Sequence, residues 1–101
     1  MIFAIWLKDR PGTAQLRTEI RPVHRAYLEK MSDRIAFAGP LTSEDGQRTV
    51  GSLLAMDFPS RVDLDAWLKD EPFTKAGVYE EPIIHVFNNR WQQKVGFPPV
   101  N

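Results

Sequence analysis

Residues 2–12 run Ile2-Phe3-Ala4-Ile5-Trp6-Leu7-Lys8-Asp9-Arg10-Pro11-Gly12. The opening run is rich in β-branched, aliphatic and aromatic side chains, and the last four residues are turn formers, so the stretch reads as a strand over 2–8 that stops at Asp9. Alternation puts Phe3, Ile5 and Leu7 on one face and Ile2, Ala4 and Trp6 on the other. Both faces are apolar. A single layer of helices covers only one of them, which predicts that the second face is an interface.

Working outward, Leu16, Ile20, Val23, Tyr27 and Met31 recur at spacings of three and four between 15 and 32, the stripe of an amphipathic helix. Pro22 stands within it and requires either that the helix begin close by or that it bend there. Ile35 to Ala38 form a short strand ended by Gly39 and Pro40, and a polar stretch over 42–48 with Asp45 and Gly46 leads to a further strand over 49–58. Ser60 and Asp63 make a capping box ahead of Leu64, Trp67 and Leu68, and Pro72 stops that second helix. A last strand spans 82–88, and from Gln92 the residues Gly96, Pro98 and Pro99 mark an extended arm. The order is βαββαβ, which predicts an α+β, ferredoxin-like domain over 1–92, with an antiparallel sheet carrying two helices on one face, and an arm over 93–101. The uncovered face predicts a homodimer stacked sheet to sheet, the alternative being an arm folded back over its own sheet.

With 101 residues, 43% of them hydrophobic and 26% charged, the chain suits one folded core. Lysine and arginine number 13, as do aspartate and glutamate, so no summed field draws the protein to nucleic acid or anionic lipid. The stretch Gly51 to Phe58 lacks the basic and aromatic residues of an RNA-reading strand. The apolar run Met1 to Leu7 is too short to cross a bilayer, and Lys8, Asp9 and Arg10 interrupt it before it resembles a signal peptide, so a cytoplasmic protein is expected. The absence of cysteine excludes disulfides, thiolate metal sites and a cysteine nucleophile. Neither metal nor cofactor is expected, and a small-molecule ligand is.

His24 falls within the helical stripe beside Ile20, Tyr27 and Met31, so its imidazole points toward the sheet. Two readings follow: a core histidine satisfied by its neighbours, or an acid/base group. Arg17 and Arg21 precede it on the same flank, a row suited to an anionic or phenolic oxygen, with Arg17 the nearer to the stripe and Arg21 closer to a solvated edge. Continuing the second helix puts Glu71 between Trp67 and Leu68 while Asp70 turns away, so Glu71 is the inward carboxylate, able to orient a histidine or to cap a helix turn. Asp9 is a further catalytic candidate, although an aspartate there also serves as a turn former. His85 has no partner at ligand spacing and reads as structural. Ser52 lacks a nucleophile elbow and can only hydrogen-bond a ligand. No glycine loop cradles phosphate. The expected pocket lies between the two helices and the sheet, lined by Trp6 and Tyr79.

Taken together, Asp9 and Pro11, Arg17, Arg21-Pro22-Val23-His24, Ala38-Gly39-Pro40, Gly51-Ser52, Pro72-Phe73 and Lys75-Ala76-Gly77-Val78-Tyr79 resemble the YCII-related family from residue 1 to about 90. The resemblance implies a dimeric ferredoxin-like fold, an assembly like the dimeric α/β barrels. It also implies a His/Asp pair as active site, with His24 as the histidine. The family's aspartate stands directly before the proline of an Asp-Pro-Tyr or Asp-Pro-Phe motif, a place held here by Glu71, with Asp70 one residue earlier. The family includes dehydrochlorinases of chlorinated hydroxyquinols, and its fold is similar to that of muconolactone isomerases. What is implied is a cofactor-free lyase or isomerase acting on a small aromatic or lactone-type substrate. In it His24 and Glu71 move the proton, and Arg17 or Ser52 holds an oxygen. The alternative is a non-catalytic dimeric ligand-binding domain.

Overall fold

The computed structural model describes residues 1–91. Its elements are β1 (Ile2–Lys8), α1 (Ala14–Glu29), a 3-10 turn (Ser32–Arg34), β2 (Ile35–Thr42), β3 (Thr49–Asp57), α2 (Arg61–Lys69), α3 (Pro72–Ala76) and β4 (Ile83–Val86). The four strands form one sheet in the order β2-β3-β1-β4 with antiparallel neighbours throughout. This is the expected α+β architecture. The expected arm over 93–101 lies outside the described residues.

Register decides which face becomes the core. Phe3, Ile5 and Leu7 pair with Met56, Leu54 and Ser52, and all six are buried on the helix side together with Leu64, Leu68, Phe73 and Val78. Trp6 pairs with Leu53 and Ile83 on the opposite side. There Trp6, Phe37 and Ile83 remain 48%, 47% and 48% exposed.

Several elements differ from their sequence reading. α1 starts at Ala14 and passes through Pro22 without interruption, so Pro22 sits neither in the first turn nor at a break, and forfeits one backbone bond on the solvent side. Leu16, Ile20, Leu28 and Met31 pack on the core, whereas Val23 is 58% exposed, because the packed seam is turned toward Leu28 and away from Val23. β2 continues through Pro40 to Thr42, which is tolerated because β2 is an edge strand and one side of its ladder needs no donor. Ser60 caps α2 as expected, accepting from the Asp63 backbone N–H at 3.2 Å. Pro72 does end α2, but it also opens α3. Glu71 is the N-cap of that new helix, Pro72 its first residue, and Gly77 at φ 82° its left-handed stop.

Candidate active site

α1, the β1–α1 turn, β2, β3 and Phe73 of α3 line a cavity of about 1010 Å³ that is open to solvent on one side. Asp9, Arg17, His24 and Ser52 all line it. Two expectations are corrected here. α2 does not line the cavity: it meets α1 through Tyr27, whose hydroxyl donates to the Trp67 carbonyl at 2.7 Å, and Phe73 of α3 supplies the cavity wall instead. Trp6 does not line it either, because β1 turns Trp6 to the open face of the sheet.

At one wall His24 Nδ1 is hydrogen-bonded to Glu71 Oε1. The other carboxylate oxygen, Oε2, accepts from the Thr74 backbone N–H at 3.0 Å and the Thr74 hydroxyl at 3.3 Å. Glu71 is 1% exposed, so both oxygens are spent on these partners. A carboxylate only accepts, which puts the hydrogen on Nδ1 and leaves Nε2 as the basic nitrogen for a ligand. The imidazole lies flat on Phe73, with ring centroids 3.9 Å apart at 18°. Tether and stacking together fix the ring. Asp70, the C-cap of α2, is not hydrogen-bonded to His24 among the described residues.

At the other wall Arg17 reaches across from α1 to β3. Its Nη2 donates to Ser52 Oγ at 2.8 Å and to the Gly51 carbonyl at 3.2 Å, and its guanidinium sits 4.7 Å from the Phe73 ring centroid. Asp9 Oδ2 lies 3.6 Å from Arg17 Nε, close enough for charge pairing but too far for a hydrogen bond. Burial raises the Asp9 carboxyl above its ordinary range, and the Arg17 guanidinium opposes that shift only partly. Tyr79 stands behind Ser52, its hydroxyl 2.9 Å from Ser52 Oγ. Burial, reinforced by the Glu71 carboxylate and opposed by the Ser52 bond, pushes the phenol up to about 12. It therefore stays protonated through the neutral range. Tyr79 touches the cavity only through Ser52, not as a lining residue. Arg21 lines the rim and is exposed. His85 pairs with Ala4 on the open face, away from the cavity. Among the described residues no three histidine, aspartate or glutamate side chains are close enough to hold a metal ion. No helix among them is long and apolar enough to cross a membrane.

Phe73, the platform under both His24 and Arg17, was not singled out as a site residue by sequence reasoning. The available signal was its position directly after Glu71-Pro72, the start of a helix whose N-cap is itself a site residue.

The model of the YCII-related domain matches residues 1–88. The chain belongs to the YCII-related family. Among its relatives is protein YciI of Escherichia coli O6:H1, 30% identical over 94 residues that cover 86% of this chain and 96% of that one. A protein of Haemophilus influenzae is 28% identical over the same shares of the two chains. Among solved structures, the 5-chloro-2-hydroxyhydroquinone dehydrochlorinase TftG of Burkholderia phenoliruptrix AC1100, in complex with 2,5-dihydroxybenzoquinone, is 35% identical with a TM-score of 0.77, over 93% of this chain and 96% of that one.

Proposed function

We propose that the protein is an acid/base enzyme that eliminates chloride from a chlorinated hydroxyquinol, with His24 as the proton carrier and Glu71 as its orienter. The observation that carries this reading is the His24–Glu71 pair, clamped at Nδ1 and open at Nε2, facing a cavity whose charged lining is chiefly cationic, with Arg17, Arg21, Arg25 and Arg48 in it. Such a lining favours a phenolate. The structural likeness to a dehydrochlorinase of that substrate class supports it.

The reaction balances without any redox partner. A base removes a phenolic proton, the chlorine-bearing ring carbon takes up a proton to give a dienone, and loss of a second phenolic proton expels chloride and leaves a quinone. Two protons leave oxygen, one arrives at carbon, and the sum is HCl. His24 Nε2 suits the transfers because it can both accept and return a proton. Arg17 and Ser52, as donors, stabilise the negative oxygen that forms between them. The reading includes a homodimer through the open sheet face, supported by the exposed Trp6, Phe37 and Ile83.

The test is chloride release from 5-chloro-2-hydroxyhydroquinone by the wild type and by His24→Asn. A loss of ~10²-fold or more is expected, the usual scale for a general acid/base group. Wild-type protein that releases no chloride overturns the substrate. Activity that survives His24→Asn within about twofold overturns the mechanism and leaves His24–Glu71 a structural pair in a ligand-binding domain.

A further inference from the structure

The proposed proton transfers occupy only one wall of the cavity. At the other, Asp9 Oδ1 and Arg17 Nη1 are both buried and have no hydrogen-bond partner among the described residues. Both residues line the cavity, and the Asp9 side chain is 9% exposed. A buried acceptor and a buried donor left unmatched are each costly, so their shared place invites a ligand that supplies both complements.

Ser52 adds a third group whose direction is set from behind. Tyr79 is 5% exposed, and Ser52 is the one partner of its hydroxyl among the described residues. The tyrosine hydrogen therefore goes to Ser52, since the reverse arrangement would strand it in the core. Arg17 Nη2 donates to the same oxygen at 2.8 Å. With both lone pairs of Ser52 Oγ so engaged, its own hydrogen remains to be donated into the cavity. The wall then offers one acceptor, Asp9, beside two donors, Arg17 and Ser52.

We propose that Asp9, Arg17 and Ser52 form a subsite for two vicinal oxygens, a hydroxyl that donates to Asp9 and a neighbouring carbonyl or phenolate oxygen that accepts from Arg17 and Ser52, with Tyr79 as the positioning residue that makes Ser52 a donor. The inference rests on the reading of this cavity as the substrate site and narrows its ligand to 1,2-dioxygenated rings and their hydroxy-oxo tautomers. Asp9 and Arg17 stand side by side, Oδ2 to Nε at 3.6 Å, so the unmatched Asp9 Oδ1 and Arg17 Nη1 belong to neighbouring groups and are matched together by adjacent oxygens, whereas oxygens set 1,3 or 1,4 on a ring diverge and satisfy one of the two at a time.

Titration calorimetry of the His24→Asn protein with 1,2-, 1,3- and 1,4-dihydroxybenzene tests this, since turnover cannot interfere. The 1,2 isomer is expected to bind about tenfold or more tightly than the others, the scale of one well-made hydrogen bond in a buried site. Adding Asp9→Leu, which keeps the approximate size and removes both acceptor oxygens, should abolish the preference. Adding Tyr79→Phe should weaken the 1,2 isomer several-fold and the 1,4 isomer less, a split that general loss of structure does not produce. Equal affinities for the three isomers, or a preference that outlasts Asp9→Leu, overturn the subsite. Isomer preference without chloride release in the wild type keeps the subsite and removes the proposed reaction, and chloride release without preference does the reverse.

Discussion

Glu71→Gln changes little in shape and much in hydrogen bonding. Glu71 accepts from three donors, His24 Nδ1, the Thr74 backbone N–H and the Thr74 hydroxyl. Glutamine keeps one acceptor oxygen and replaces the other with a donor. The Thr74 N–H, fixed in the first turn of α3, has no alternative form, but imidazole has two tautomers. The amide oxygen therefore stays on Thr74 and the amide nitrogen turns to His24, whose Nδ1 becomes an acceptor and whose Nε2 takes the hydrogen. The cavity then faces a donor where it had a base. Because the number of bonds is conserved, the stability loss should stay within about 1 kcal/mol, or roughly 4–8 °C in Tm for a domain of this size. Turnover should fall ~10²–10⁴-fold, as when an orienting acid is replaced by its amide in a hydrolase triad. Glu71→Ala is the contrast. It removes an N-cap worth about 1 kcal/mol and strands two donors at about 1–3 kcal/mol each, so it should melt much earlier. Nitrogen-15 spectra of the histidine ring report which nitrogen is protonated, and chloride release reports turnover. A Glu71→Gln protein that retains hydrogen on Nδ1, or works within about twofold of wild type, rules out Glu71 as the group that sets the tautomer of His24.

Asp9→Asn should stabilise the protein at neutral pH. With its pKa raised on folding, Asp9 binds its proton more tightly in the folded chain, so stability falls as pH rises from the ordinary value of 3.8 through the raised one, and the penalty persists above it. The variant should melt above wild type at pH 7, with the gap closing below the ordinary value. A variant that melts lower at pH 7 contradicts this. Gly51→Ala should destabilise by about 1–3 kcal/mol, because a Cβ there would collide with the Leu7 carbonyl oxygen of the neighbouring strand. An unchanged melting temperature would show that β1 and β3 can part at no cost. Trp6→Glu and Phe37→Glu should convert a dimer to monomer in sedimentation while leaving the melting of each chain nearly intact, and a monomeric wild type at micromolar concentration rules the interface out.

Local pattern was enough to reveal the element order, the strand over residues 2–8 and the inward side of α1 that carries Arg17 and His24, because a helix of period 3.6 and a strand of period 2 declare which residues share a face. It did not reveal which face of β1 the helices would cover. Phe3 and Trp6 are equally apolar, and only the pairing with β3 and β4 put Phe3 in the core and Trp6 outside. Glu71 shows the division most sharply. Wheel geometry singled it out by extending α2, yet the chain leaves that helix at Asp70 and restarts at Pro72, so Glu71 faces His24 as the cap of α3. Val23 and Tyr79 follow the same rule, one turned to solvent by the rotation of α1 on its seam and the other drawn behind Ser52 by the return of the chain after Gly77. Residue type and periodicity were sufficient to mark the side chains capable of acid/base and oxygen-binding chemistry. Tertiary structure alone decided which of them meet, because His24 and Glu71 are separated by 47 residues, Arg17 and Ser52 by 35, and no local periodicity spans such distances.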